Sequence, residues 1–275
     1  MPDRLHQVPT PQGTLQYRRA GAAATPTHVL LHGIGSASGS WLPLLERLQA
    51  DPAWGALAWD APGYGASTPL PMARPRAEDY GRAVWAWLDA LSLRTPVVLV
   101  GHSLGALMAA AAAALAPERV RAVRLLSPAR GYADGPEAER EAVRRQRLAN
   151  LAQLGPAGMA AARADAMLSA QATPAQRAAV RQTMAAIDPA SYTQAVHLLA
   201  DSSLQALMAR WPAALREGAR VASGEADGVT PPAACDAVAT ALGQTRVSLG
   251  PVGHACAVEA PAAVQAFLHD TGARA

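Results

Sequence analysis

Short apolar runs alternate along the chain with longer stretches whose apolar residues recur at helical spacing. Residues 14–18, 27–31, 55–59, 96–100, 120–126, 220–223 and 246–249 read as strands. Residues 41–49, 78–91, 103–116, 231–242 and 261–269 read as helices between them. This alternation predicts the α/β class, a mostly parallel central sheet flanked by helices. Ligands of such sheets bind beyond the carboxyl ends of the strands.

The alternation stops between residue 128 and about residue 210. No convincing strand appears there, Ala, Arg, Leu, Met and Gln dominate, and Gly155-Pro156, Thr173-Pro174 and Asp188-Pro189 punctuate the stretch. Prolines at such places start helices, so several short ones are expected. The predicted organisation is a core of residues 1–127 and 211–275 with an α-helical cap, or lid, of residues 128–210.

Composition narrows the function classes. A chain of 275 residues buries a large core. No apolar run reaches the 18 or so residues that a membrane span needs. The stretch Met1-Pro2-Asp3-Arg4-Leu5-His6-Gln7 lacks the apolar block of a secretory leader, which gives a cytoplasmic protein as the expectation. Cys235 and Cys256 are two cysteines without metal-ligand spacing and are expected as free thiols. All 24 basic residues are Arg, and the net charge of +3 is too small and scattered to argue for nucleic acid. The Arg-rich run 139–147 mixes signs at helical spacing and reads as a solvated helix face.

The candidate chemistry begins at Gly101-His102-Ser103-Leu104-Gly105, which follows the apolar run 96–100 and opens the Ala-rich stretch 106–116. Strand, hinge and helix are consecutive, the context in which a G-x-S-x-G match has meaning. Glycines flank the turn because a sharp strand-to-helix bend brings backbones closer than a Cβ allows, and can require φ values cheap only for Gly. Ser103 stands at the apex as candidate nucleophile, and the helix start points free N–H groups toward developing negative charge.

A serine hydroxyl needs a general base, and the base needs a group that orients it. His254 lies in Gly250-Pro251-Val252-Gly253-His254-Ala255, after the last strand-like run. Asp227 lies in the loop 224–232 after the preceding run, with Glu225 and Asp201 as alternative carboxylates. Both loops fall at the carboxyl edge of the expected sheet. The chain order Ser103, Asp227, His254 is that of nucleophile-elbow hydrolases.

With His32-Gly33-Ile34-Gly35-Ser36 and Asp60-Ala61-Pro62-Gly63-Tyr64-Gly65-Ala66-Ser67, these motifs stand in an order that resembles the α/β-hydrolase family over nearly the whole chain. The resemblance implies an oxyanion hole from the main-chain N–H groups of Ile34 and Leu104, with His32 bracing that loop. It implies no metal and no organic cofactor, and a small-molecule substrate. The expected activity is cleavage of a small or medium carboxylic ester or lactone through an acyl-enzyme. A C–C bond hydrolase, a small-molecule receptor and an acyltransferase are the alternatives on this fold. Ser103 argues against members with a carboxylate at the elbow. Leu104 and Ala255 depart from the haloperoxidase and C–C hydrolase patterns, while Thr230-Pro231-Pro232 and Glu259-Ala260-Pro261 resemble enol-lactonases. Gly33, Trp41, His102, Met159, Met167, Leu168, His197 and Val229 are expected around the pocket, His102 as a packing residue rather than a second base. Monomer and homodimer both remain open.

Overall fold

Side chains that alternate along each short apolar run are divided between two apolar layers. The computed structural model describes residues 2–23, 25–49, 51 and 54–269. In β3 (His28–Leu31), Val29 and Leu31 join one layer and Leu30 the other. In β4 (Ala56–Trp59), Leu57 and Trp59 part from Ala56 and Ala58 in the same way. Strands covered on both faces lose the polar face, so they read as continuous apolar runs.

The sheet has eight strands in the order β1-β2-β4-β3-β5-β6-β7-β8. The remaining strands are β1 (Leu5–Thr10), β2 (Gly13–Ala20), β5 (Val97–His102), β6 (Val120–Leu126), β7 (Arg220–Ser223) and β8 (Val247–Ser248). The β1–β2 and β2–β4 pairs are antiparallel, and the rest are parallel. No apolar run marks β1, because it buries no face: its residues alternate between exposed and half-buried, and it carries Pro9, which an edge strand tolerates.

α1 (Leu42–Leu48) and the C-terminal α11 (Pro261–His269) supply the layer on one face of the sheet. α2 (Ala77–Ala90) and α3 (Gly105–Leu115) supply the other. The alanine run of α3 is buried on every side, and the lack of bulk lets α2 approach closely. A Cβ on Gly81 would stand 2.9 Å from the main-chain nitrogen of Ala112.

Between β6 and β7 lie α4 (Glu137–Arg163), α5 (Pro174–Ala185), α6 (Pro189–Asp201), α7 (Leu204–Ala209) and α8 (Ala213–Gly218). Their limits follow the local signals. α4 breaks at Gly155, with φ 61° and ψ 176°, before Pro156. Thr173 caps α5 by accepting from the Gln176 N–H at 3.3 Å, and Asp188 caps α6 by accepting from the Ser191 N–H at 2.9 Å. The chain closes through α9 (Pro232–Ala241), α10 (Cys256–Glu259) and α11. Cys235 and Cys256 are buried free thiols. Among the described residues no helix is long and apolar enough to cross a membrane.

Candidate active site

β5 ends and α3 begins within three residues, and the turn between them presents Ser103 with φ 52°. The left-handed conformation falls on the serine, whereas the two glycines are required for space. A Cβ on Gly101 would stand 2.5 Å from the Gly105 carbonyl oxygen, and one on Gly105 would overlap the Leu31 carbonyl. Gly105→Ala is therefore expected to cost about 3 kcal/mol of stability, because backbone rather than a flexible side chain must move. Urea unfolding measures it, and a change within about 0.5 kcal/mol, the range of an ordinary surface substitution, would refute this steric account.

The loop after β3 lies directly against the serine. A Cβ on Gly33 would be 3.0 Å from Ser103 Cβ and 3.4 Å from its Oγ. Among the described residues, the N–H groups of Ile34 and Leu104 have no hydrogen-bond partner. Free main-chain donors beside a serine hydroxyl are a feature that suits binding of an anionic oxygen. The turn Asp60–Ser67 holds this loop. The Tyr64 hydroxyl donates to the Ile34 carbonyl at 2.9 Å, and the Ala61 N–H donates to His32 Nε2 at 3.0 Å. His32 Nδ1–H in turn donates to the Gly33 carbonyl at 2.9 Å, so His32 is a neutral, buried brace.

The loops after β7 and β8 are pressed together: Glu225 N–H donates to Gly250 and Ala226 N–H to Val252, at 2.9 and 3.0 Å. A Cβ on Gly224 would overlap the Val252 carbonyl, so this closeness also depends on a glycine. The contact brings Asp227 Oδ2 to 3.0 Å from His254 Nδ1. Asp227 also accepts from the N–H groups of Val229 and Thr230 and from the Thr230 hydroxyl, each at 2.9 Å. Burial alone would raise the Asp227 carboxyl, but the hydrogen bond and charge of His254 and the Thr230 N–H outweigh it and hold it well below the usual carboxylate range. The alternatives are engaged elsewhere, Glu225 with Arg246 and Asp201 with Arg144.

Two contacts fix the His254 loop from outside. Ala255 N–H donates to the Met167 carbonyl at 2.8 Å. Glu259 accepts from Gly253 N–H at 2.8 Å while accepting from the Ser169 N–H and hydroxyl at 3.0 and 2.6 Å. His102 Nε2–H donates to the His254 carbonyl at 2.8 Å. Burial, followed by the charge of His254, pushes the His102 ring down to about 3, so it stays neutral near neutral pH.

Ser103 and His254 line one cavity of about 610 Å³ without a hydrogen bond between them. Gly33, Trp41, His102, Met159, Met167 and Val229 also line it, as do Ile34 and Leu104. Leu168 and His197 do not, which corrects two of the expected pocket residues. The Leu168 main chain instead packs on Gly253, where a Cβ would stand 2.7 Å from its carbonyl carbon. His197 is buried on α6, its Nδ1 without a partner, and desolvation followed by Arg74 and Arg144 lowers its basicity. Thr230 and Glu259 entered the sequence analysis only through a likeness to enol-lactonases and Arg147 only within a charged run, and nothing local in the sequence marks Arg130, Arg147 and Arg163 as lining the cavity. The run 139–147 is more than a solvated face, since Arg144 is buried and Glu139 and Arg147 line the cavity.

Residues 26–261 match the alpha/beta hydrolase fold family, and the chain belongs to that family. It is 38% identical over 120 residues to the dihydrolipoyllysine-residue acetyltransferase component of an acetoin cleaving system from Cupriavidus necator, covering 44% of this chain and 30% of that protein. It is 31% identical over 115 residues to (E)-2-((N-methylformamido)methylene)succinate hydrolase from Acinetobacter baylyi, covering 42% and 41%. The chain thus spans less than half the length of these curated relatives. A solved hydrolase from Pseudomonas aeruginosa PA01 superposes with a TM-score of 0.80 and 27% identity, over 97% of this chain and 99% of that one.

Proposed function

We propose that this protein is a serine hydrolase that cleaves a small or medium carboxylic ester or lactone through an acyl-enzyme. One observation carries the reading: Ser103, at positive φ between two sterically required glycines, shares a cavity with a histidine whose far nitrogen is held by a buried carboxylate. His254 takes the Ser103 proton as Oγ attacks the substrate carbonyl carbon, and the N–H groups of Ile34 and Leu104 receive the oxyanion. Collapse of this intermediate breaks the bond to the leaving oxygen, which takes the proton from His254. Water then attacks the acyl-enzyme, giving its proton to His254, and Ser103 leaves with that proton as the acid departs. Asp227 keeps the proton of the resting imidazole on Nδ1 and stabilises the imidazolium.

Residues 128–210 act as a cap in this reading, with Met159, Met167, Met184, Tyr192 and Leu199 giving the cavity an apolar roof. The hydrolase names of the Acinetobacter baylyi and Pseudomonas aeruginosa proteins support hydrolytic chemistry. A fluorophosphonate probe is expected to form one adduct on Ser103, located by peptide mass mapping, and p-nitrophenyl butyrate is expected to turn over. Folded protein that takes up no probe and hydrolyses neither nitrophenyl esters nor lactones would overturn the assignment.

A further inference from the structure

The cavity wall carries more charge than ester cleavage requires. Arg130 follows β6, while Arg147 and Arg163 lie on the two arms of α4, and all three line the cavity. The break at Gly155 lets residues sixteen apart on one helix serve the same space.

Nine arginines are paired with carboxylates, among them Arg82 with Asp79, Arg210 with Glu78 and Arg246 with Glu225 and Asp236. Others such as Arg145 and Arg216 have no such partner among the described residues; Arg130 and Arg163 are exposed and Arg147 is half-buried. Arg130, Arg147 and Arg163 have no such partner within 4.0 Å among the described residues, and their side chains make no hydrogen bond. Two acids share the wall. Asp134 is engaged by the Ser203 hydroxyl at 2.6 Å, and Glu139 stands outside ion-pair distance of the three arginines.

We propose that Arg130, Arg147 and Arg163 form a carboxylate-recognition site, so that the substrate is an ester or lactone whose acyl part ends in a free carboxylate. The planar guanidinium fork matches a carboxylate with two parallel N–H···O bonds, and one left without a protein partner keeps its donors available. Arg130 is also tied to the reacting centre: the neighbouring Ala129 N–H donates to the Ser103 carbonyl at 3.1 Å. Met159, Met184 and Leu199 provide apolar wall for the chain between carbonyl and carboxylate. The substrate defined this way is a half-ester of a dicarboxylic acid, or a lactone bearing a carboxylate. This inference rests on the serine hydrolase reading.

The test compares mono-p-nitrophenyl adipate with p-nitrophenyl hexanoate, a neutral ester of equal chain length, in the wild type and in Arg130→Gln, Arg147→Gln and Arg163→Gln. The wild type is expected to favour the half-ester in kcat/KM by about tenfold or more, the size of one charge-assisted contact. The ratio should fall toward one in at least one glutamine variant, through KM, and the corresponding lysine variant should keep part of it. Raising salt should reduce the ratio. A second readout does not need turnover. Free adipate should slow fluorophosphonate labelling of Ser103 in the wild type and lose that effect in the same glutamine variant.

A wild-type ratio near one together with no protection by adipate overturns the carboxylate site, and normal Ser103 labelling in that experiment leaves the hydrolase reading standing. Protection that survives all three glutamine substitutions also overturns it. Absent labelling of folded protein overturns the hydrolase reading itself.

Discussion

Replacing Ser103 with alanine is expected to lower kcat toward an activated ester by about 10⁶-fold and to abolish fluorophosphonate labelling. Losses of this size follow removal of a nucleophile that acts as a unit with its base, and the residue left over comes from the oxyanion donors and binding. Ser103→Gly should be equally inactive, yet it separates chemistry from strain. A non-glycine residue at φ 52° costs of order 1 kcal/mol, which glycine avoids. Ser103→Gly should therefore melt about 2 °C above Ser103→Ala in a thermal scan. A kcat within tenfold of the wild type in either variant would remove Ser103 from the reaction. Equal melting temperatures would show that the turn stores no strain at this residue.

The strand–turn–helix geometry around Ser103 was legible because it is local. Strand, turn and helix occupy consecutive residues, and Asp227 and His254 each follow a short apolar run directly, so their edge of the sheet could be read from order alone. The backbone strain was assigned less well: the turn suggested glycine as the residue with unusual φ, whereas Ser103 adopts it and the glycines give way to neighbouring carbonyls. Contacts that join distant segments had no local trace. Glu259 reaches Ser169 ninety residues earlier, and its position after a histidine loop says nothing of that. The helices between β6 and β7 were harder still. Their starts are written in Thr173-Pro174 and Asp188-Pro189, but the break at Gly155 changes which face each arm turns inward. Arg147 lines the cavity while Leu168 and His197 do not, a difference that no local signal in the sequence carries.

Replacing Asp227 with asparagine is expected to lower kcat by about 10⁴-fold while leaving KM within a few fold, the pattern of a change that spoils the base without emptying the pocket. Asp227 accepts from the Val229 and Thr230 N–H groups, the Thr230 hydroxyl and His254 Nδ1. An asparagine carries two N–H donors in place of one acceptor oxygen. If its oxygen keeps the two main-chain donors, its NH₂ faces His254 Nδ1 and stabilises the tautomer in which the ring nitrogen nearer the serine is protonated and cannot act as base. The pH dependence adds a second test. The Asp227 carboxyl lies below the usual range and the His102 ring at about 3, so neither changes charge between pH 5 and 9. Neither group therefore adds a step to the activity profile across that range. Stability behaves differently. The folded pKa of Asp227 is depressed below the unfolded value of about 3.9, so its contribution is complete above that value and is lost as the pH falls below it. Asp227→Asn should therefore be less stable than the wild type at pH 7, and the gap in urea unfolding should narrow as the pH falls below about 3.9. An asparagine variant retaining a tenth or more of wild-type kcat would separate this carboxylate from the base.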